Sequence, residues 1–140
     1  MCDLAAAFGF RVDVWDCDGT TPTTGSVCVG NITTWEGVYC DSDSNIIEVN
    51  LNNYGITGTL STTIGNLLTL QLLDLSNNDI YGTIPTTLGF ISTLTYMDVS
   101  SNNFAGNLPV AIGRMTSLTY LDVTFNSLTG DVPYQLCLLT

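Results

Sequence analysis

The chain has 140 residues with 13 acidic and 2 basic side chains, which gives a formal net charge of −11. A surface this acidic repels phosphate groups, so we expect neither a nucleic acid partner nor binding to an anionic membrane surface. No apolar stretch approaches the ~18 residues that a membrane span needs, so direct membrane insertion is not expected. The first residues also lack the basic and apolar segments of a secretion signal.

Residues 1–45 differ from the rest of the chain, because they are rich in turn residues and cysteine. The spacing of apolar residues predicts a short helix over 1–14 and an edge strand over 35–40. Four of the 5 cysteines lie in this segment, which is typical of a disulfide-bonded cap in an oxidising compartment. A zinc site is disfavoured, because the chain has no histidine and no closely spaced cysteine pair.

Four cysteines allow three disulfide pairings. We expect the pair Cys28–Cys40, which leaves Cys2–Cys17 as the second pair. Cys137 is then the odd cysteine, and it is free, buried or paired with another molecule.

Residues 46–140 repeat with a step of 24 residues, in units 46–69, 70–93, 94–117 and 118–140. Inward apolar positions follow this step; they are Leu51, Leu75, Val99 and Val123. A fixed period of this length predicts a solenoid, in which each coil buries its apolar side against its neighbours. No terminal cap is evident after the last unit, so the chain is either a part of a longer array or is covered at this end by another molecule. In the second case we expect an assembly end formed by Leu136, Cys137, Leu138 and Leu139.

Each unit carries polar and turn residues at fixed places. Asparagines follow the inward positions at Asn78, Asn102 and Asn126, with Tyr54 at the same place in the first unit. We expect these asparagines to bridge backbone groups of adjacent coils. In the second unit, Gly82 is expected at a tight bend, Pro85 at the start of a short helical turn and Gly89 at its end.

The pattern L-x-x-L-x-L-x-x-N-x-L-x-G-x-I-P-x-x-L-G resembles the plant-specific subclass of leucine-rich repeats. Trp35, Gly37, Val38 and Cys40 are similar to the cysteine-containing N-terminal cap of that family. The resemblance implies an α/β-type repeat solenoid, a right-handed superhelix with a parallel β-sheet on the concave face and short 3₁₀ or irregular turns on the convex face. It also implies an extracellular location, secreted or at the cell surface.

In this architecture the outward strand positions form the concave face, in four columns that follow the repeat. The first column is Glu48, Leu72, Tyr96 and Tyr120; the acidic column is Asn50, Asp74, Asp98 and Asp122; the third is Asn52, Ser76, Ser100 and Thr124; the fourth is Asn53, Asn77, Ser101 and Phe125. Exposed aromatic side chains give large contact areas at little entropic cost. We therefore expect ligand contacts from six residues of this face: Tyr96, Tyr120, Phe125, Leu72, Asp98 and Asp122.

Two alternatives apply to these columns. Instead of contacting a ligand, the aromatic side chains would pack on each other across strands that lie ~5 Å apart. The stacked carboxylates repel one another unless a cation bridges them. We nevertheless expect no metal site, since the same aspartates are common in the family without a metal.

Asn31 is the acceptor of an N-x-[ST] sequon, so we expect an N-linked glycan there. Catalytic residues and cofactors are not expected, because histidine, lysine and the usual catalytic motifs are missing. The sequence thus favours a non-enzymatic recognition module that binds a protein or a glycan through the concave face. The alternative is a structural subunit whose copies join end to end in a filament, cell-surface or matrix assembly.

Overall fold

This computed structural model describes residues 28–29, 32–33 and 36–138. In that part of the chain, two longer β-sheets and a row of 3₁₀ helices build the repeats, and the first two short strands form a separate antiparallel pair. The strands are β1 (Cys28–Val29), β2 (Ile32–Thr33), β3 (Val38–Cys40), β4 (Ile46–Asn50), β5 (Thr57–Thr59), β6 (Leu72–Asp74), β7 (Asp79–Gly82), β8 (Tyr96–Asp98), β9 (Asn103–Asn107), β10 (Tyr120–Asp122) and β11 (Ser127–Thr129). The 3₁₀ helices are η1 (Thr62–Asn66), η2 (Thr86–Phe90), η3 (Val110–Arg114) and η4 (Tyr134–Leu138).

The first sheet has the strand order β10-β8-β6-β4-β3. Strands β4, β6, β8 and β10 are parallel, and their partners are 24 residues apart, as in Leu73 with Met97. The expected edge strand is present as β3, which pairs with β4 in the antiparallel direction. These results confirm the parallel-sheet solenoid predicted from the repeat, with an antiparallel strand at its first edge.

A second parallel sheet, in the order β11-β9-β7-β5, was not predicted. Its strands are short and include glycines in the left-handed region, such as Gly82 with φ of 86° at the end of β7. Because glycine pays little for this conformation, the chain can bend here toward the 3₁₀ helices. The short length and the glycines remove the alternation by which a strand is usually recognised.

The 3₁₀ helices form the third side of each coil. Pro85 and Pro109 hold the N-cap positions of η2 and η3, as predicted. The prediction that Gly89 ends its helix is wrong, because η2 continues to Phe90 and its C-cap is Ile91. Gly89 is required for another reason, since a Cβ atom there would lie 2.4 Å from the carbonyl oxygen of Ala111 in the next coil.

One continuous apolar core runs through the coils, and Val49, Leu73, Met97, Val99 and Phe104 are fully buried in it. The burial decreases in the last coil, where Val132 is 75% exposed although its counterpart Leu108 is 9% exposed. Leu121 and Leu128 of the same coil are only partly buried. The apolar side of the last described coil is therefore open.

The asparagines join adjacent coils, as the sequence predicts. Asn102 Oδ1 accepts from the backbone N–H of Ile80 (3.0 Å), and its Nδ2 donates to the carbonyl oxygens of Leu75 (2.8 Å) and Ser100 (3.1 Å). Asn78 and Asn126 repeat this pattern one coil earlier and one coil later. Each side chain thereby satisfies backbone groups that the turn leaves without partners.

Several predictions about the cap fall on residues that are not described, namely the helix over 1–14, the Cys2–Cys17 disulfide and the glycan at Asn31. Cys40 is buried and disulfide-bonded. The Cys28 side chain is not described, so the pair Cys28–Cys40 stays a prediction. Among the described residues, none of the helices has the length and apolar character to cross a membrane.

Candidate functional site

The concave face is the outward side of the first sheet, and two of its four predicted columns lie on strands. The first and acidic columns run across β4, β6, β8 and β10 in register, so that Tyr96 pairs with Tyr120 and Asp98 with Asp122. The prediction is wrong for the third and fourth columns, because these strands end at residues 50, 74, 98 and 122. Those two columns lie in the turns that follow the strands.

Tyr96 and Tyr120 stack on each other on this face. Their ring centroids are 4.4 Å apart and the ring planes differ by 3°. Parallel strands bring equivalent side chains to about this distance, so the repeat itself places the two rings face to face. Tyr96 is half-buried, whereas Tyr120 keeps 43% of its surface exposed.

The environment of Tyr96 keeps its hydroxyl protonated. Burial, followed by the negative charge of Asp98, raises the pKa of Tyr96 to about 12. The neighbouring Tyr120 and Asp74 act in the same direction. At neutral pH this hydroxyl is therefore neutral and can donate a hydrogen bond.

The acidic column is held by hydrogen bonds within each coil. Asp74 Oδ1 accepts from the N–H of Ser76 (2.9 Å) and from its hydroxyl (2.6 Å). Asp122 Oδ1 accepts in the same way from the N–H (2.8 Å) and hydroxyl (2.7 Å) of Thr124. The backbone bond, followed by the hydroxyl bond, holds the pKa of Asp122 below its usual range, so this carboxylate is charged at neutral pH.

Asp98 is less accessible than the sequence predicts. Its side chain is 9% exposed, and Oδ1 accepts from the N–H of Ser100 at 2.9 Å. Alternation along a strand places Asp98 outward, and β8 lies between β6 and β10 in the sheet. The contact of Asp98 with a ligand stays a prediction, now for a side chain that is largely buried.

The fourth column adopts the left-handed backbone conformation in every coil. Asn53, Asn77, Ser101 and Phe125 have φ of 59°, 56°, 52° and 53°. Asparagine tolerates this region, whereas a bulky aromatic residue rarely occupies it. Phe125 is also 83% exposed, so neither backbone preference nor burial accounts for phenylalanine at this place.

Leu72 is half-buried in the first column, between Glu48 and Tyr96. The structure thus brings Leu72, Tyr96, Tyr120 and Asp122 together on the two strand columns, with Phe125 in the turn after β10.

The predicted assembly end is partly described. Leu136 packs partly against the core, Cys137 is exposed and free, and the Leu138 side chain and Leu139 lie outside the described residues. Sequence reasoning did not single out Val132 and Tyr134, which are 75% and 73% exposed beside this end. Val132 could have been found from the repeat, since it occupies the same place as the buried Leu108.

A metal centre is not formed by the described side chains. Among them, no three acidic or cysteine residues come close enough to hold an ion together. The acidic segment at Asp41 is a turn, in which Asp41 Oδ1 accepts from the N–H groups of Asp43 and Asn45, both at 2.9 Å. These bonds lower the pKa of Asp41, with the Asn45 bonds contributing most.

The sheets, the asparagines and the 24-residue step define a leucine-rich-repeat solenoid. Residues 69–128 match the family model described as leucine rich repeat. The chain folds as a leucine-rich-repeat solenoid, and it is similar to leucine-rich-repeat ectodomains of plants.

Comparison with known proteins gives relatives from plants. A probable LRR receptor-like serine/threonine-protein kinase of Arabidopsis thaliana is 40% identical over 40 residues, which is 29% of this chain and 5% of that protein. The crystal structure of PEPR1-AtPEP1 superposes with a TM-score of 0.82 and 31% identity, over 95% of this chain and 19% of that one.

A third relative is the LRR ectodomain of the plant membrane receptor kinase GASSHO1/SCHENGEN3 from Arabidopsis thaliana, in complex with CASPARIAN STRIP INTEGRITY FACTOR 2. Its TM-score is 0.75 at 30% identity, over 90% of this chain and 14% of that one. This chain therefore spans a small part of each of these three relatives.

Proposed function

We propose that this chain is an extracellular or cell-surface recognition module without enzymatic activity, which binds a protein partner through its concave face. The residues proposed to make the contact are Tyr96, Tyr120, Phe125, Leu72, Asp122 and, with the smallest exposed surface, Asp98. The observation that carries the proposal is Phe125, which is 83% exposed in a backbone conformation that disfavours it. Such an outlier is a reason to look for a partner that uses the side chain.

The composition of the face supports a protein ligand. Stacked tyrosines, an aliphatic leucine and an exposed phenylalanine are residue types enriched in protein interfaces. Two of the structural relatives are complexes, PEPR1 with AtPEP1 and GASSHO1/SCHENGEN3 with CASPARIAN STRIP INTEGRITY FACTOR 2. Both relatives support recognition rather than catalysis for this chain. A glycan would also stack on tyrosine rings, and it is the alternative ligand of the same face.

The end-to-end assembly is the second candidate, and the open apolar side of the last described coil favours it. Val132 is 75% exposed there, and a second copy could cover it by a heterologous contact. Sedimentation velocity at rising protein concentration tests this candidate. Growth of larger species that disappears in Val132→Asp supports assembly, whereas a concentration-independent monomer eliminates it.

The recognition function is tested by photo-cross-linking. A benzoylphenylalanine replaces Phe125 in one variant, and Phe90 at the end of η2 in the matched control; Phe90 is 58% exposed outside the concave face. Each protein is illuminated in extracellular fluid of the source tissue, and cross-linked chains are identified by mass spectrometry. We expect a defined protein from position 125 that is missing from position 90.

Equal cross-linking from both positions would contradict the proposed face. A cross-link from position 125 to carbohydrate alone would establish the glycan alternative. The predicted glycan at Asn31 is checked separately, by the mass shift of the secreted protein after enzymatic deglycosylation.

A further inference from the structure

The concave face carries negative charge and no basic residue. Glu48 lies in the first column, and Asp74, Asp98 and Asp122 form the acidic column beside it. The strands β4, β6, β8 and β10 contain neither lysine nor arginine. Arg114 is the only basic residue among those the structure describes, and it lies in η3, outside the sheets. A partner on this face therefore meets negative potential along its whole length.

The carboxylates keep acceptor capacity for such a partner. All hydrogen bonds that the described residues give to Asp74 reach Oδ1, which leaves Oδ2 available. The acidic column advances by one strand separation of ~4.8 Å per coil, so Asp74 and Asp122 are about 10 Å apart. Carboxylates spaced in this way do not converge on one ion, but they match positive groups distributed along a chain.

The first column adds surfaces that arginine and lysine use well. The stacked rings of Tyr96 and Tyr120 lie beside the acidic column, and Tyr120 is 43% exposed. A guanidinium or ammonium group over a tyrosine ring gains a cation–π interaction. Leu72, in the same column, offers an aliphatic surface for the methylene groups of a long basic side chain.

We propose that the partner segment bound on the concave face is cationic, an extended protein segment whose arginine or lysine side chains lie over Tyr120 and against Glu48, Asp74 and Asp122. This inference rests on the proposed recognition function, and it specifies the chemistry of the ligand. It follows from charge complementarity, which selects partners and accelerates their association more than it adds affinity.

Synthetic peptides test the proposal directly. The probes are a short peptide that alternates arginine and serine, the same peptide with lysine in place of arginine, and a third with glutamate. Binding to the full chain is measured by isothermal titration calorimetry at low and at high salt. We expect the arginine peptide to bind tightest, the glutamate peptide not to bind, and high salt to weaken the binding. Equal affinity of the arginine and glutamate peptides would overturn the proposal, and equal affinity of the arginine and lysine peptides would remove the contribution of tyrosine stacking.

A charge-matched pair of variants separates a local effect from net charge. The triple variant Glu48→Gln, Asp74→Asn and Asp122→Asn removes three charges from the face and keeps the acceptor oxygens that hold the turns. The control, Asp43→Asn, Asp79→Asn and Asp131→Asn, removes three exposed charges elsewhere. We expect the first to weaken binding of the arginine peptide about tenfold and the control to change it less than about twofold. Equal losses in both would show that net charge alone is responsible and would overturn the proposed site.

The partner cross-linked to benzoylphenylalanine at position 125 distinguishes this inference from the proposed recognition function. A segment rich in arginine or lysine at position 125 supports both. A segment without basic residues overturns the cationic ligand and leaves recognition by the concave face intact. Loss of the specific cross-link removes both.

Discussion

Asn102 and Asp98 lie in the same coil and are almost equally buried, at 7% and 9% exposure, but their side chains form hydrogen bonds of different kinds. Asn102 joins two coils, since it accepts from Ile80 and donates to Leu75 in the preceding one. The Asp98 carboxylate accepts from the N–H of Ser100, two residues further along its own coil, and from no other described residue. Burial alone therefore does not show which polar side chains hold a solenoid together.

The direction of the hydrogen bonds separates the two classes. A group that joins coils satisfies backbone atoms of its neighbour, so its loss disturbs the stacking of the array. A group that serves one coil shapes its own turn and leaves its remaining surface to a partner. Asn78, Asn102 and Asn126 belong to the first class, and the side chains of Asp74, Asp98 and Asp122 belong to the second.

Substitution of Asn102 by aspartate has the largest expected effect on the free energy of unfolding. Asn102→Asp replaces a donor that faces the carbonyl oxygens of Leu75 and Ser100 with a carboxylate. A buried, uncompensated charge beside carbonyl groups should lower the free energy of unfolding by ~3–5 kcal/mol. Urea unfolding followed by circular dichroism measures the change.

Asn126→Asp is the control for Asn102→Asp. Asn126 makes the same kind of bonds but is only half-buried in the last coil, so water can reach it. We expect its loss to be less than half as large. Equal losses at the two positions would show that coil-to-coil bonding does not depend on depth.

Substitution of Gly89 tests how closely adjacent coils pack on the side of the 3₁₀ helices. A Cβ atom there would lie 2.4 Å from the Ala111 carbonyl oxygen and 2.8 Å from the Ala111 Cβ. Gly89→Ala should therefore cost ~2 kcal/mol by overpacking, although alanine normally stabilises a helical position relative to glycine. Thr86→Ala, at an exposed position of the same helix, should change unfolding by less than ~0.5 kcal/mol. Stabilisation by Gly89→Ala would show that the coils can separate at this point.

The sequence predicts those features that depend on the residues of one repeat unit and on their period. The inward position of Val99 and the bridging role of Asn102 follow from period and residue type alone, and both are confirmed. Glycine at residue 89 was predicted as the end of a helical turn, whereas it is needed because the next coil lies close to it. The second sheet was missed for the same cause, since its strands are defined by their neighbours rather than by alternation.

The candidate site was predicted in part. The stacking of Tyr96 and Tyr120 follows from equivalent places on adjacent strands, and the structure confirms it. The burial of Asp98 and the left-handed conformation of Phe125 depend on lateral neighbours and turn geometry, which one strand's pattern does not encode. The recurrence of Asn53, Asn77 and Ser101 before Phe125 was the available signal, since asparagine and serine are common at such a turn.

Tyr96 makes the stability of the concave face dependent on pH. Its pKa rises from about 10 in an unfolded chain to about 12 in the fold. The stabilisation is therefore complete below pH ~10 and is lost as pH rises from about 10 to about 12, because only the unfolded chain gains by ionising in this window. Tyr96→Phe should remove part of this alkaline loss in urea unfolding at a series of pH values. Tyr81→Phe, which alters an exposed tyrosine in β7, is the control, and an equal change in both variants would refute the assignment to Tyr96.

Phe125 should lower the stability of the fold and at the same time strengthen the binding of a partner. Phe125→Asn restores the residue type found at Asn53 and Asn77, and it should raise the free energy of unfolding by ~1 kcal/mol while weakening partner binding. Thermal unfolding and binding are measured on the same samples. Phe90→Asn, at an exposed site of ordinary backbone conformation, should give neither effect. A destabilised Phe125→Asn variant would mean that the phenylalanine has a structural role.

Asp98→Asn has the smallest expected effect and completes the reciprocal pair with Asn102→Asp. The asparagine keeps Oδ1 to accept from Ser100 N–H, and it removes one of three adjacent like charges in the acidic column. Losing a charge-assisted bond and relieving repulsion act in opposite directions, so unfolding should change by less than ~0.5 kcal/mol. Binding of a cationic segment should fall less than in Asp74→Asn, because Asp98 is 9% exposed and its neighbour is more accessible. A loss of stability as large as that of Asn102→Asp would remove the distinction between groups that join coils and groups that serve one coil, since a residue bonded only within its own turn would then hold the array together.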